Sequence, residues 1–356
     1  MQHRTLWRAG LVLATAALLV AACAELTPQP TREGEDGAAS LLVWPKAPAQ
    51  TRIRYLRSVH GPQDWGITQS AWRRLVDAVS GRGAESFVRP SAVAERAGVL
   101  YVADPGAQAL WLLDAPRQRS TRLTHVGQQA LISPVALALG SGDTVFLADT
   151  GLQKVFLLDR DGTLIRTFST QGLERPAGLA WDETARRLFV LDSVKHRIAV
   201  FDGNGALLRN LGESGNQNGQ FNHPTHLALD GGATHDALLV SDALNFRVQA
   251  LDQQGAFIWK FGQNGNGTGD FAAPKGIASD SAGHIYVVDA LFDAVQIFDR
   301  QGQLLLAFGE HGGDRGQFAL PSGIYISATD HVYVADAYNQ RVQIFLGAVA
   351  NAESPK

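Results

Sequence analysis

The chain has 356 residues, a hydrophobic fraction of 45% and a formal net charge of −3 at pH 7. It is therefore long enough to bury a large core, and it lacks the basic excess that binds nucleic-acid backbones. It contains one cysteine, which excludes an internal disulfide.

The amino terminus has the pattern of an export signal. A basic head precedes an apolar run from Leu11 to Ala22 that is too short to span a bilayer comfortably. The run ends in Val20-Ala21-Ala22-Cys23, which resembles the lipobox of bacterial lipoproteins. This resemblance implies a lipoprotein signal peptide over residues 1–22 and lipid attachment to Cys23.

The lipobox resemblance also implies a location. Ala24, rather than aspartate, follows the cysteine, which in such lipoproteins favours the outer membrane with the protein facing the periplasm. Loss of the leader would remove Arg4 and Arg8 and change the net charge to about −5. Residues 23–50 are rich in proline, alanine and glycine, so we predict a lipidated cysteine followed by a flexible tether.

Strongly patterned helix is nearly absent from the remaining sequence, and one unit recurs six times: a proline, a short apolar strand, a strand ending in aspartate, a third strand and a glycine turn. The units begin near Pro90, Pro134, Pro176, Pro224, Pro274 and Pro321. Their spacing is the length of a four-stranded propeller blade. The pattern resembles NHL-repeat propellers and predicts an all-β, six-bladed β-propeller of NHL repeats over residues 90–347.

The sixth unit stops before its fourth strand. Residues 51–60 have the character of an outer strand, so we expect them to complete the last blade and close the ring. Residues 61–89 contain Trp72, Leu75, Val76 and Val79 at helical spacing, which predicts a short helical insertion before blade one. This helix would cover apolar blade surface or dock a partner. Residues 348–356 form a tail.

The second strand of each unit ends in an aspartate. The six residues are Asp104, Asp149, Asp192, Asp242, Asp289 and Asp336. A role repeated in every blade favours architecture over catalysis, since such a carboxylate accepts hydrogen bonds from amides of the next turn. We interpret these residues as structural turn carboxylates.

The loops after these aspartates share one face with the connectors between blades, and this loop-rich face is the predicted binding surface. The candidate binding residues are Lys195, His196, Arg197, Leu244, Asn245, Phe246, Arg247, Phe292, Tyr338, Asn339 and Arg341. Two pairs, Asn245 with Arg247 and Asn339 with Arg341, match positions of the NHL motif. Exposed apolar and aromatic loop residues are typical of contact surfaces.

Enzymes that resemble this repeat carry metal ligands or acid–base groups near the propeller axis. Two positions after each repeat proline, five of the six residues are alanine or glycine; the sixth is His226, with His223 nearby. Their segment resembles the zinc-ligand segments of amidating-lyase propellers, which need three histidines. We predict no cofactor and no catalytic residue, with His226 and His223 as the candidates for a divalent metal that is not excluded.

Two classes of function follow. The first is a membrane-tethered envelope lipoprotein that serves as a protein-interaction or ligand-recognition scaffold, with a protein partner in the cell envelope and no nucleic acid. The alternative is a metal-dependent hydrolase or lyase, lactonase-like or amidating-lyase-like, with its site at the propeller axis.

Overall fold

The computed structural model describes residues 41–46, 48–50, 52–68, 85–168, 172–230 and 237–347. The chain divides into two units, Met1–Leu41 and Leu42–Lys356, and only the second is described beyond one residue. The predicted signal peptide, the lipid site at Cys23, most of the predicted tether and the tail 348–356 lie outside these ranges. Within them, no helix has the length and apolar character needed to cross a bilayer.

Blades 1 to 5 are four-stranded antiparallel sheets whose strands follow chain order from the axis outward. Their strands are Ala92–Arg96, Val99–Asp104, Ala109–Asp114 and Arg119–Leu123; Pro134–Leu139, Val145–Asp149, Lys154–Leu158 and Leu164–Phe168; Pro176–Asp182, Arg187–Asp192, Arg197–Asp202 and Leu207–Leu211; Pro224–Leu229, Ala237–Asp242, Arg247–Asp252 and Phe257–Phe261; and Pro274–Ser279, Ile285–Asp289, Ala294–Phe298 and Leu304–Phe308. Short extra strands pair His125–Val126 with Gln129–Ala130 and Glu213–Ser214 with Gln220–Phe221.

Blade 6 contains Ile324–Ile326, His331–Asp336 and Arg341–Gly347. The first strand of every blade contacts the first strands of both neighbouring blades, which completes a ring of six. Sheets with both faces buried need apolar residues at successive positions, and all six residues of Val99–Asp104 are buried. The predicted all-β, six-bladed propeller is confirmed.

The last blade takes its fourth strand from the opposite end of the sequence. Ile53–Val59 pairs antiparallel with Arg341–Gly347. Val43–Trp44 then adds a fifth strand beside it, because the Trp44 ring packs 5.7 Å from Phe308 and 5.9 Å from Phe345, measured between ring centroids. The predicted tether over residues 23–50 is therefore wrong at its end, since ordered sheet begins at Val43.

The core lies between the blades. Buried clusters combine residues of adjacent blades, such as Phe189 of blade 3 with Leu227 of blade 4. The long connectors into blades 4, 5 and 6 each end at a fully buried phenylalanine: Phe221, Phe271 and Phe318. At the start of the last connector, Gly309 has a φ of +95°, and an added Cβ would lie 2.5 Å from the Phe318 ring. Only glycine meets both conditions there.

The predicted helical insertion can be followed at its two ends, because residues 69–84 lie outside the described ranges. At the first end, Trp65 is buried and its Nε1 donates to the carbonyl of Gly98 at 3.0 Å. At the second end, Phe87 is fully buried. Among the residues that the structure describes, the one helix is the 3₁₀ turn Ala243–Asn245.

Candidate functional site

The six strand-end aspartates tie two kinds of loop together. Asp149 accepts hydrogen bonds from the amides of Ile132 and Ser133, just before the innermost strand of its blade, at 2.8 and 3.0 Å. It also accepts from the amide of Leu152, in the link between the second and third strands, at 3.0 Å. All six carboxylates are 0% exposed. Blade connectors and strand links therefore lie on the same face, which we call the connector face.

In blades 4 and 6 the aspartate also binds an arginine. Asp242 accepts from Asn245 Nδ2 and from Arg247 Nε, both at 2.8 Å. The guanidinium of Arg247 then donates to the carbonyls of Asn216, Gln217 and Gln220 at 2.8–2.9 Å, so it holds the connector in place. The fixed fork of an arginine suits this arrangement.

Arg341 has the same position in blade 6. It donates to Asp336 at 2.8 Å and to the carbonyls of Asp314 and Gln317 at 2.7 and 2.9 Å, while Asn339 donates to Asp336 at 2.9 Å. Arg247 and Arg341 are 6% and 5% exposed. Their assignment to an accessible binding surface is thus wrong, because each guanidinium is consumed by the carboxylate and connector of its own blade.

The other candidate binding residues differ in accessibility. Lys195 is exposed and pairs with Glu174, with 2.6 Å between Nζ and Oε1. Arg197 donates to the carbonyl of Gly172 at 2.8 Å, and the His196 ring lies 3.2 Å from the carbonyl of Phe221. Leu244 and Tyr338 reach solvent, whereas Asn245, Phe246, Phe292 and Asn339 are half-buried.

The most exposed apolar side chains of the connector face occupy one repeated position. Two residues after the aspartate, blades 3 to 6 carry Val194, Leu244, Leu291 and Tyr338, which are 41%, 52%, 64% and 61% exposed. We call these four residues the apolar arc. Blades 1 and 2 have glycine at this position, and Ile132 of the neighbouring lead-in packs where a Cβ of Gly151 would stand.

An open cavity of about 450 Å³ lies on the connector face, and we call it the axial funnel. One group of lining residues directly follows the repeat prolines: Ser91, Val135, Ala177, Thr225, Lys275 and Ser322. A second group directly precedes them: Ser133, Arg175 and His223. Thr150, Ser193, Ala243, Leu244 and His226 complete the lining.

β-Bulges aim the residues after the prolines into the funnel. In blade 4, Pro224 pairs with Asp242 and His226 pairs with Ser241, so Thr225 is an extra residue in the ladder. The register shifts at the same point in blades 3 and 5. A bulge turns a side chain away from the alternation of a regular strand. The sequence argument followed the alternation to the second residue after each proline and so missed Lys275 and its equivalents.

Some funnel hydroxyls are engaged in holding blades together. Ser91 donates to the carbonyl of Val135, Thr150 to that of Pro176 and Thr225 to that of Pro274, at 3.2, 2.8 and 3.1 Å. Each bond joins one blade to the next. Three other funnel hydroxyls donate to no partner within the described ranges: Ser133, Ser193 and Ser322.

The charge of the funnel is positive on one side. Its lining contains Lys275 and Arg175 but no aspartate or glutamate. Burial lowers the pKa of Lys275, because removal of water disfavours the ammonium form. Blades 3, 4 and 5 supply Arg175, the two histidines and Lys275, so the basic groups gather on that half of the rim.

His226 stands deeper in the channel. Its Nδ1 is inaccessible to solvent and has no hydrogen-bond partner in the described part of the chain. Burial, and secondarily the positive charge of Lys275, lower the pKa of His226 to about 3. The ring of His223 instead contacts that of His196, with centroids 4.6 Å apart. Across the described ranges, no three histidine, cysteine, aspartate or glutamate side chains lie close enough together to hold a metal.

Below the funnel the axis narrows to a cavity of about 50 Å³. Small residues are needed there because backbones of adjacent blades approach closely. A Cβ on Gly276 would lie 2.5 Å from the carbonyl oxygen of Ser322, and one on Gly323 would lie 2.5 Å from that of Ser91. The alanines and glycines that the sequence placed at the axis therefore have a packing role.

Fold and repeat together define the class of protein: the chain is a six-bladed β-propeller that carries an NHL repeat. The family model of the NHL repeat matches residues 318–345, in the last blade. No curated protein matches the sequence.

Several solved structures share the fold. A streptogramin B lyase is 14% identical, with a TM-score of 0.57 over 74% of this chain and 95% of the lyase. A protein of unknown function from Bacteroides thetaiotaomicron is 16% identical, with a TM-score of 0.58 over 74% and 70% of the two chains. An auxiliary nutrient-binding protein from the same organism is 14% identical, with a TM-score of 0.56 over 73% and 69%. At these identities the likeness extends to the fold alone.

Proposed function

We propose that the protein is a recognition scaffold of the bacterial cell envelope, which binds a partner protein through the apolar arc of its connector face. The observation that carries this proposal is the repeated exposure of Val194, Leu244, Leu291 and Tyr338 at one position of four consecutive blades. Single exposed apolar side chains are common and need no explanation. Four at equivalent positions on one face favour a contact surface.

The rest of the connector face supports binding rather than catalysis. Its carboxylates are buried and occupied by backbone amides or arginines, so they are not available as acids, bases or metal ligands to a substrate. Rigid backbone beneath exposed side chains lowers the entropic cost of association. The arc therefore has the properties of a preformed surface.

The test is a crosslinking pull-down from intact envelopes with three forms of the full-length protein. The arc variant carries Leu244→Ser, Leu291→Ser and Tyr338→Ser. The matched control carries Leu207→Ser, Leu208→Ser and Ile258→Ser, which are 48%, 47% and 47% exposed on outer strands. A protein recovered with the wild type and the control but lost with the arc variant supports the proposal. Equal recovery with all three forms contradicts it.

The proposal includes a lipid anchor at Cys23, which rests on the lipobox resemblance of Val20 to Cys23. Several acyl chains bind a bilayer far more firmly than one, since each buried methylene contributes about 0.8 kcal/mol. We expect the wild type to fractionate with membranes and to enter the detergent phase, and Cys23→Ser to prevent both. A wild-type protein that is soluble in the periplasm, unchanged by Cys23→Ser, would show that the anchor does not exist.

A further inference from the structure

We propose that the axial funnel is a binding site for a small organic anion, whose carboxylate or phosphate group is held by Lys275 and Arg175. This inference is independent of protein recognition by the apolar arc. It concerns a concave site of about 450 Å³, a volume within the range of small-molecule pockets.

The first argument is charge. Buried cations elsewhere in the described structure have a carboxylate partner: Asp242 for Arg247 and Asp336 for Arg341. Lys275 is half-buried and the funnel around it has no acidic lining residue. A cation partly removed from water without a counter-charge is unfavourable. An anion bound in the funnel would supply the missing charge.

The second argument is hydrogen bonding. Arg175 and the hydroxyls of Ser133, Ser193 and Ser322 have no partner within the described ranges, and all four residues line the funnel. Guanidinium and ammonium groups form the stronger, charge-assisted hydrogen bonds to carboxylate and phosphate oxygens. The free hydroxyls can donate to further oxygens of the same ligand.

The arrangement also gives the ligand a direction. The basic side of the rim comes from blades 3 to 5, so the anionic group is expected there. Val135, Ala177, Ala243 and Leu244 provide apolar contact for a carbon skeleton. His226 stays neutral beneath the site, since its pKa is far below physiological pH, and its role is to line the floor rather than to add charge.

Pyridoxal 5′-phosphate, used as a reagent, tests the site because it carries an amine-reactive aldehyde and a phosphate. The neutral amine of Lys275 adds to the aldehyde carbon and water leaves; borohydride then reduces the resulting C=N bond to a stable secondary amine. Peptide mass spectrometry measures labelling at Lys275, with Lys195 as an exposed reference lysine. Pyridoxal, which lacks the phosphate, controls for the intrinsic reactivity of the amine.

We expect Lys275 to be labelled about 10-fold faster by the phosphate reagent than by pyridoxal, equivalent to about 1.4 kcal/mol of anion binding, and Lys195 to show no comparable preference. Arg175→Gln should remove the preference at Lys275. Arg186→Gln, an exposed arginine in the same blade at the opposite end of its strands, should leave it unchanged.

Protection identifies the anionic group. Inorganic phosphate that slows labelling at Lys275 assigns a phosphate-bearing ligand, whereas benzoate that protects better than neutral benzamide assigns a carboxylate. The proposal is overturned if Lys275 shows no preference for the phosphate reagent, or if neither anion protects it more than benzamide does.

Discussion

At the scale of single residues, the pair of Asp242 and Arg247 shows how the blades fix their connectors. Replacing Asp242 with alanine would leave a buried guanidinium without a counter-charge. We expect the free energy of unfolding to fall by about 3–5 kcal/mol. Denaturant unfolding followed by tryptophan fluorescence measures this loss.

Asp289 in blade 5 is the matched control. It is equally buried, but Ala294 stands at the position of the arginine, so its carboxylate accepts hydrogen bonds only from backbone amides. Asp289→Ala should cost about 1–3 kcal/mol. A loss at Asp289 as large as that at Asp242 would show that the arginine pairing is not the main contribution.

His226 predicts a pH dependence. Its pKa is about 3 in the fold against an ordinary value of 6.5, so between these values the unfolded chain binds a proton that the folded chain does not. Stability is therefore lost as pH falls below about 6.5, by up to about 1.4 kcal/mol per pH unit from this residue. The variant His226→Gln should lack this part of the dependence.

Nuclear magnetic resonance gives the direct check on His226. Its ring signals should not titrate between about pH 8 and pH 5, whereas an ordinary histidine changes charge within that interval. Lys275→Met should raise the pKa of His226 only in part, since burial remains the larger cause. A wild-type His226 that titrates near pH 6.5 would contradict the buried, neutral state.

At the scale of elements, Ile53–Val59 closes the ring, and its two faces differ in environment. Ile53 is 1% exposed and packs between blades 5 and 6, whereas Leu56 is 38% exposed. We expect Ile53→Ala to lower the free energy of unfolding by about 2–4 kcal/mol and Leu56→Ala to have a much smaller effect. Equal effects would mean that the strand does not pack as described.

The elements also show what a sequence pattern can and cannot predict. Alternating β-branched and apolar residues, with a proline and an aspartate at fixed spacing, were enough to predict the strands of six blades. The bulge after the proline was not visible, because it depends on pairing between strands, and so Lys275 and Arg175 were missed. Val43–Trp44 was missed for a similar reason: two apolar residues in a polar segment have no period, and Phe308 and Phe345 are distant in sequence.

At the scale of the whole molecule, the two ends of the blades have different roles. Buried aspartates fix the connector face from below, which allows exposed apolar residues above them to stand in a defined arc around the funnel. The repeat predicted which face would be loop-rich. It did not distinguish accessible side chains from structural ones, since Arg247 and Arg341 look like surface residues until the connectors that cover them are seen.

Site-specific photocrosslinking in intact cells is the most direct test of the connector face as the recognition surface. A photoreactive phenylalanine analogue placed at Tyr338 lies in the apolar arc, and the same analogue at Leu208 lies on an outer strand of similar exposure. The account predicts a discrete crosslinked protein from position 338 and none from position 208. A partner captured only from position 208, or none from either, would contradict it.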